Sequence, residues 1–130
     1  MTRFRILLPH YFLVFVEVIT DEIGNLKKME SLNLQHNRIT KLPVSLNKLS
    51  ALRDVSLAYN FISSFPIQLV GLKHLNSIDL SHNKLSALPN EIKDVEAIEI
   101  NLNQNQVNAI PLIVSFLCHQ LYRMKQRFFY

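Results

Sequence analysis

The sequence contains very little glycine and cysteine, and each shortage excludes a class of protein. Two Gly among 130 residues leave no glycine-rich loop to bind a phosphate, and neither G-x-S-x-G nor H-E-x-x-H occurs. A lone cysteine, Cys118, cannot form an internal disulfide, and no N-x-S/T glycosylation site is present. We therefore expect a cytoplasmic protein, and the 48% apolar content predicts a folded one.

The formal net charge of +4 comes from the two ends of the chain. Residues 19–111 carry nine basic and nine acidic residues, so they are neutral overall. The first 18 residues have a net charge of +1 and the last 19 have a net charge of +3. A nucleic-acid-binding domain concentrates positive charge on its folded surface. The neutral middle of this chain therefore predicts no nucleic-acid partner.

The middle of the chain is an internal repeat. Four copies begin at Met29, Leu52, Leu75 and Ala97, and so recur at nearly equal intervals. They share the pattern L-x-x-L-x-L-x-x-N-x-L-x-x-L-P, and residues 19–28 look like the second half of a further copy, with Thr20 in place of Pro. Over residues 19–117 the chain resembles the leucine-rich repeat family, and residues 22–43 and 98–107 resemble a small intracellular member of it.

The spacing within each copy predicts an α/β solenoid. Two aliphatic residues in L-x-L face one side of a strand too short to bury that side alone, so the copies must stack into a concave parallel sheet. The three-residue apolar spacing after each Pro predicts 3₁₀ or short helical turns on the convex side. We expect Pro to end the strand. Amide side chains at the bend should satisfy backbone groups there, which makes one aligned column structural: Asn37, Asn60, Asn83 and Asn105.

The two ends do not fit the repeat. Residues 1–18 are apolar and are expected to form a strand-like cap, with a membrane or targeting segment and disorder as the alternatives. Residues 118–130 are basic, and Leu121, Met124 and Phe128 recur at helical spacing. This spacing predicts a helical cap or, alternatively, a membrane-binding helix. The repeat domain is then residues 19–117, and the capped protein is expected to be a monomer.

Residues 97–107, AIEINLNQNQV, could be an amide-rich aggregating tract or a strand with one dry face. The repeat favours the strand. Ile100, Leu102 and Val107 should face the core, whereas the intervening amides, apart from Asn105, should point outward.

No constellation of reactive side chains accompanies the repeat, so we expect no catalysis, no cofactor and no metal. His36 and His82 share a column with Tyr59 between them, and Asp79 is near. Strand spacing separates the two histidines by about 9–10 Å, too far for shared ligation at about 2 Å. They are interpreted as surface residues. Cys118 has only His119 beside it, and nothing aligns the pair for nucleophilic chemistry.

The remaining prediction is a scaffold-like, protein-binding concave surface. Tyr59 and Phe61 are its expected anchors, although Phe61 could instead pack against Ile62 and Phe65. The alternatives are a regulatory or targeting arm for an enzyme supplied in trans and a membrane-associated repeat protein. The predicted contact residues are Asn33, Gln35, His36, Arg38, Ser56, Tyr59, Phe61, Asp79, Ser81, His82, Lys84, Asn101, Asn103 and Gln104.

Overall fold

The computed structural model describes residues 15–108 as a regular alternation of strands and 3₁₀ helices. The strands are β1 (Ser31–Asn33), β2 (Asp54–Ser56), β3 (Ser77–Asp79) and β4 (Glu99–Asn101). The 3₁₀ helices are η1 (Asp21–Asn25), η2 (Val44–Lys48), η3 (Ile67–Leu69) and η4 (Asn90–Asp94). The expected helix over residues 118–130 and most of the expected cap over residues 1–18 lie outside the described residues.

The four strands form one parallel sheet in sequence order. Leu32 pairs with Val55, Val55 with Ile78, and Ile78 with Ile100, so equivalent positions of successive copies are neighbours. Each strand has only three residues, and it obtains partners by lying beside the same segment of the next copy. The register therefore follows the repeat alignment, and every column in the sequence becomes a row across the sheet.

The core lies between the sheet and the 3₁₀ helices. The inward rows of the sheet are buried, as are Leu46 and Leu49 of the first copy and Leu69 and Leu72 of the second. The predicted solenoid, with a parallel sheet on one side and 3₁₀ turns on the other, is confirmed. In the 97–107 segment, Ile100 and Leu102 are buried, Val107 packs against the core, and Gln104 and Gln106 are exposed.

The expected role of proline in ending the strand is wrong. β1 ends at Asn33, and Pro43 instead precedes η2, with extended backbone angles of φ −69° and ψ 151°. Its carbonyl accepts the N–H of Leu46 at 3.2 Å and so closes the first turn of the 3₁₀ helix. Pro66 and Pro89 play the same part before η3 and η4. A residue that has no N–H, and whose ring already fixes φ near its helical value, suits the start of a helix.

The repeat register extends back to Val16. Its N–H donates to Asn37 Oδ1 at 2.9 Å, and its carbonyl accepts the Arg38 N–H at 2.9 Å. Ile39, the equivalent residue one repeat later, makes the same two bonds with Asn60 and Phe61. Val16 thus continues a column of the repeat, three residues before residue 19, where the sequence pattern becomes visible.

Candidate interaction surface

The polar side chains at the ends of the strands support the bend. Asn33, Asp79 and Asn101 share a row, and each Oδ1 accepts the backbone N–H two residues further on, at 3.1, 2.9 and 3.1 Å respectively. These are the local turns that Asn and Asp favour. Sequence reasoning assigned the three residues only to partner contact. The recurrence of Asn or Asp at this one position of the repeat, just before the bend, could have indicated the turn. Ser56, in the same row, donates to Gln35 Oε1 at 3.4 Å.

A ladder of asparagine side chains joins neighbouring copies. Nδ2 of Asn60 donates to the carbonyls of Leu57 at 3.0 Å and Leu34 at 2.9 Å. Its Oδ1 accepts the Ile39 N–H at 3.0 Å. Asn83 and Asn105 make the equivalent bonds one and two copies later. Each amide therefore satisfies backbone groups in its own copy and in the preceding one.

The residue before each bend asparagine has a left-handed backbone. The φ angles of His36, Tyr59, His82 and Gln104 are 58°, 56°, 53° and 57°. This conformation costs roughly 1–2 kcal/mol in an ordinary residue, and His tolerates it better than most. No glycine occupies the column, so the tertiary structure imposes the conformation. As a consequence, four side chains project from the same position in successive copies.

Three of these side chains form a stack. The ring centroids of His36 and Tyr59 are 4.3 Å apart with an interplanar angle of 14°. Those of Tyr59 and His82 are 4.1 Å apart at 9°. Both faces of the Tyr59 ring are therefore covered, yet the residue is 46% exposed, so its edge and hydroxyl meet solvent. Within residues 15–108, no group of three or more His, Cys, Asp or Glu side chains could hold a metal ion.

A second column pairs aromatic rings with cations. Phe15, Arg38, Phe61 and Lys84 occupy equivalent positions in successive copies. The Arg38 guanidinium carbon is 4.6 Å from the Phe15 ring centroid, and Lys84 Nζ is 4.6 Å from that of Phe61. Phe61 is 44% exposed. We call the stack and this column together the ridge, formed by His36, Tyr59, His82, Phe15, Arg38, Phe61 and Lys84.

Sequence reasoning missed Phe15 because Val14 stands where the repeat requires Asn, which hid the register of the N-terminal copy. It also placed Ser81 on the contact surface, whereas Ser81 is only 6% exposed and offers a partner almost nothing. Ala58, its equivalent one copy earlier, is also buried. Neighbouring copies flank both residues, and their side chains are too short to emerge between them. Gln35 and Asn103, the outer members of this row, remain exposed and half-buried respectively.

The structure adds a row at the first position of each strand that sequence reasoning left out. Its members are Ser31, Asp54, Ser77 and Glu99. Ser77 Oγ donates to Asp54 Oδ1 at 2.8 Å. Period-two alternation already placed this row on the same face as Asn33 and Asp79. With Asp79 in the next row, the sheet face carries an acidic band, and the ridge at the ends of the strands is cationic and aromatic.

A groove of about 550 Å³ crosses the repeats away from the sheet. Its lining includes Leu42, Phe65, Ile67 and Leu88, and Lys41 is the one ionisable residue in that lining.

Comparison with known proteins supports the family indicated by the repeat. A family model for the leucine rich repeat matches residues 27–85. A solved leucine-rich repeat protein of Leptospira interrogans is similar with a TM-score of 0.72 and 26% identity over 84% of this chain, which corresponds to 28% of that chain. No curated protein matches. The matches support the leucine-rich repeat family for this chain, and its fold is a leucine-rich repeat solenoid.

Proposed function

We propose that this protein is a non-catalytic protein-binding module whose partner contacts the concave sheet face and the adjoining ridge. The observation that carries the proposal is the ordered exposure of Tyr59 and Phe61 at 46% and 44% beside an acidic sheet face. Exposed aromatic residues surrounded by polar groups are typical binding hot spots. Leucine-rich repeats generally mediate protein–protein interactions, and solenoids use their concave surfaces for this purpose.

The rigidity of the surface supports a binding role. Equivalent side chains are held at one strand spacing by the sheet register and the asparagine ladder. A preformed surface loses little conformational entropy on association. We also propose the domain bounds of residues 19–117, with Val16 added at the start, and a monomeric state.

A finer resemblance supports a scaffold-like role in the cytoplasm. Residues 22–43, EIGNLKKMESLNLQHNRITKLP, and residues 98–107, IEINLNQNQV, resemble leucine-rich repeat-containing protein 57, a small intracellular protein. The lone Cys118 and the lack of glycosylation sites agree with a reducing compartment. In the described part of the chain, none of the helices has the length and apolar character needed to cross a membrane.

The proposal is tested with two serine variants in the same copy. Ser56→Arg places a long cation on the sheet face, and Ser63→Arg places the same side chain on an exposed position outside the sheet. Tagged variants would be purified from cells, and the bound proteins compared by quantitative mass spectrometry. Proteins retained by the wild type and Ser63→Arg, but lost by Ser56→Arg, are the expected result.

Equal recovery with both variants would contradict a partner on the sheet face. Thermal unfolding of each variant controls for loss of structure. An enzymatic activity in the Ser56-sensitive fraction would show that the module is a regulatory or targeting arm for that enzyme.

A further inference from the structure

The ridge presents positive electrostatic potential in two ways. An aromatic ring has a negative face and a positive edge. The faces of Tyr59 are covered by His36 and His82, and Lys84 lies over the face of Phe61. The exposed edge of Tyr59 and the formal charges of Arg38 and Lys84 therefore all contribute positive potential at the ridge. Both favour an anionic group on the partner.

The cations of the ridge remain available to a partner. Within residues 15–108, Lys84 makes no ion pair, because the salt bridges there are Arg38–Glu17 and Lys73–Glu96. Arg38 Nη1 lies 3.8 Å from Glu17 Oε1, and both side chains are more than half exposed. Such an exposed pair contributes little, so a second carboxylate can join or replace Glu17 at small cost.

The spacing of the two cations suits an extended chain. Arg38 and Lys84 belong to copies separated by two strand spacings, which is about 9.4–9.8 Å. A polyproline II segment advances about 9.3 Å in three residues and brings its side chains back to the same face. Carboxylates three residues apart on such a segment would match the two cations along the ridge.

We propose that the ridge binds an extended acidic segment of a partner protein, with two carboxylates three residues apart contacting Arg38 and Lys84. The exposed parts of the Tyr59 and Phe61 rings lie beside the residues between those carboxylates. This inference rests on the proposed protein-binding function and names the chemistry of the partner.

The surroundings of the ridge favour a protein over a nucleic acid. Asp54, Asp79 and Glu99 lie on the adjoining sheet face, and they would repel a phosphate backbone continuing across it. Residues 15–108 as a whole carry nine basic and ten acidic residues. A short acidic segment can contact the ridge alone, whereas a polyanion of uniform charge meets the acidic band as well.

The experiment measures binding of defined probes to the full chain by fluorescence anisotropy. The main probe is a labelled peptide of four Glu-Pro-Pro repeats, which adopts polyproline II and carries a carboxylate at every third residue. A Gln-Pro-Pro peptide of the same length is its neutral control, and an oligothymidylate of equal length represents nucleic acid. We expect the glutamate peptide to bind at least about fivefold more tightly than either of the other probes.

Variants of the protein locate the binding. Arg38→Gln with Lys84→Gln should weaken binding of the glutamate peptide by about fivefold, and Lys84→Gln alone by about twofold. The matched control combines Lys48→Gln and Lys93→Gln, two exposed lysines in η2 and η4. The control removes the same amount of charge from the convex side and should leave the affinity of the peptide unchanged.

The inference is overturned if the glutamate and glutamine peptides bind equally, if the control double variant loses as much affinity as the ridge double variant, or if the oligothymidylate binds most tightly. Thermal unfolding shows whether each variant is folded. If Arg38→Gln does not fold, the single variant Lys84→Gln, which changes an exposed residue, is used for the comparison instead. If the peptide experiment fails but Ser56→Arg still loses a cellular partner, the acidic-segment inference is wrong and the proposed protein-binding function stands.

Discussion

Asn60 fixes the backbone of the preceding copy at Ile39, since its Oδ1 accepts the Ile39 N–H at 3.0 Å in a buried position. The same amide group donates to the Leu34 carbonyl at 2.9 Å. A single side chain thus satisfies an N–H and a C=O from a copy to which it does not belong. Interactions of this kind couple neighbouring copies of a solenoid.

Replacing Asn60 with Ala should destabilise the fold by about 1–3 kcal/mol, because the buried Ile39 N–H would lose its acceptor. The Leu34 carbonyl would keep only the bond from the Asn37 side-chain amide. Asn103→Ala is the control. Asn103 is half-buried, and its change should cost less than about 0.5 kcal/mol. Urea unfolding midpoints measure both, and equal midpoints would contradict a structural role for the ladder.

The two glycines should respond oppositely to alanine. A Cβ on buried Gly24 in η1 would lie 2.8 Å from both Cβ and the carbonyl oxygen of Ser45 in η2. We expect Gly24→Ala to destabilise the protein by about 1–3 kcal/mol, because η1 and η2 must move apart. A Cβ on Gly71 would meet nothing within 4 Å.

Gly71→Ala should therefore be neutral or stabilise by up to about 1 kcal/mol, through the lower entropy of the unfolded chain. Thermal unfolding of the two variants side by side tests the packing of η1 on η2. A Gly24→Ala variant as stable as Gly71→Ala would be incompatible with that close approach.

The left-handed backbone at Gln104 predicts an unusual response to glycine. Gln104→Gly relieves a strain of roughly 1–2 kcal/mol, against an entropic cost of about 0.5–1 kcal/mol. The net effect should range from neutral to a gain of about 1 kcal/mol in the free energy of unfolding. Gln106→Gly is the matched control, because Gln106 is exposed but does not have a positive φ.

Gln106→Gly should lose about 0.5–1 kcal/mol. Chemical denaturation of both variants gives the comparison, and a larger loss for Gln104→Gly than for Gln106→Gly would refute the left-handed turn.

Tyr59 should matter more for stability than Phe61. Tyr59 stacks on two rings, and each aromatic pair contributes about 0.5–1.5 kcal/mol. Phe61 makes one exposed contact with Lys84, worth about 0.5–1 kcal/mol. Melting temperatures should therefore fall further for Tyr59→Ser than for Phe61→Ser, while both variants remain folded and lose partner affinity. Retention of all partners by the folded double variant would remove both residues from the binding surface.

Much of the architecture follows from the repeat alone. Leu32, Val55, Ile78 and Ile100 align at nearly equal intervals, and the same four residues pair in register across the sheet. The reason is that a strand too short to be stable alone can only pair with the equivalent segment of the next copy. The sequence also placed Tyr59 and Phe61 in outward columns, and both are exposed.

Features that depend on neighbouring copies could not be predicted in this way. The repeat period puts His36, Tyr59 and His82 in a row, but it does not show whether their rings stack. The stacked side chains project from residues with a left-handed backbone, and no glycine in the sequence indicates that conformation at these positions. The position of Lys84 over the Phe61 ring likewise depends on side-chain conformations chosen between copies.

By itself, the sequence determined the columns, the inward and outward faces and the asparagines at the bend, because repetition and period-two alternation decide which residues become neighbours. Only the tertiary structure decided which outward residues a partner could reach and how their charges are arranged. Ser81 is buried between two copies, whereas Phe15 belongs to the ridge although the repeat pattern is not recognisable in its segment. Accessibility and ring orientation arise from packing between copies, and a pattern read along one chain does not contain them.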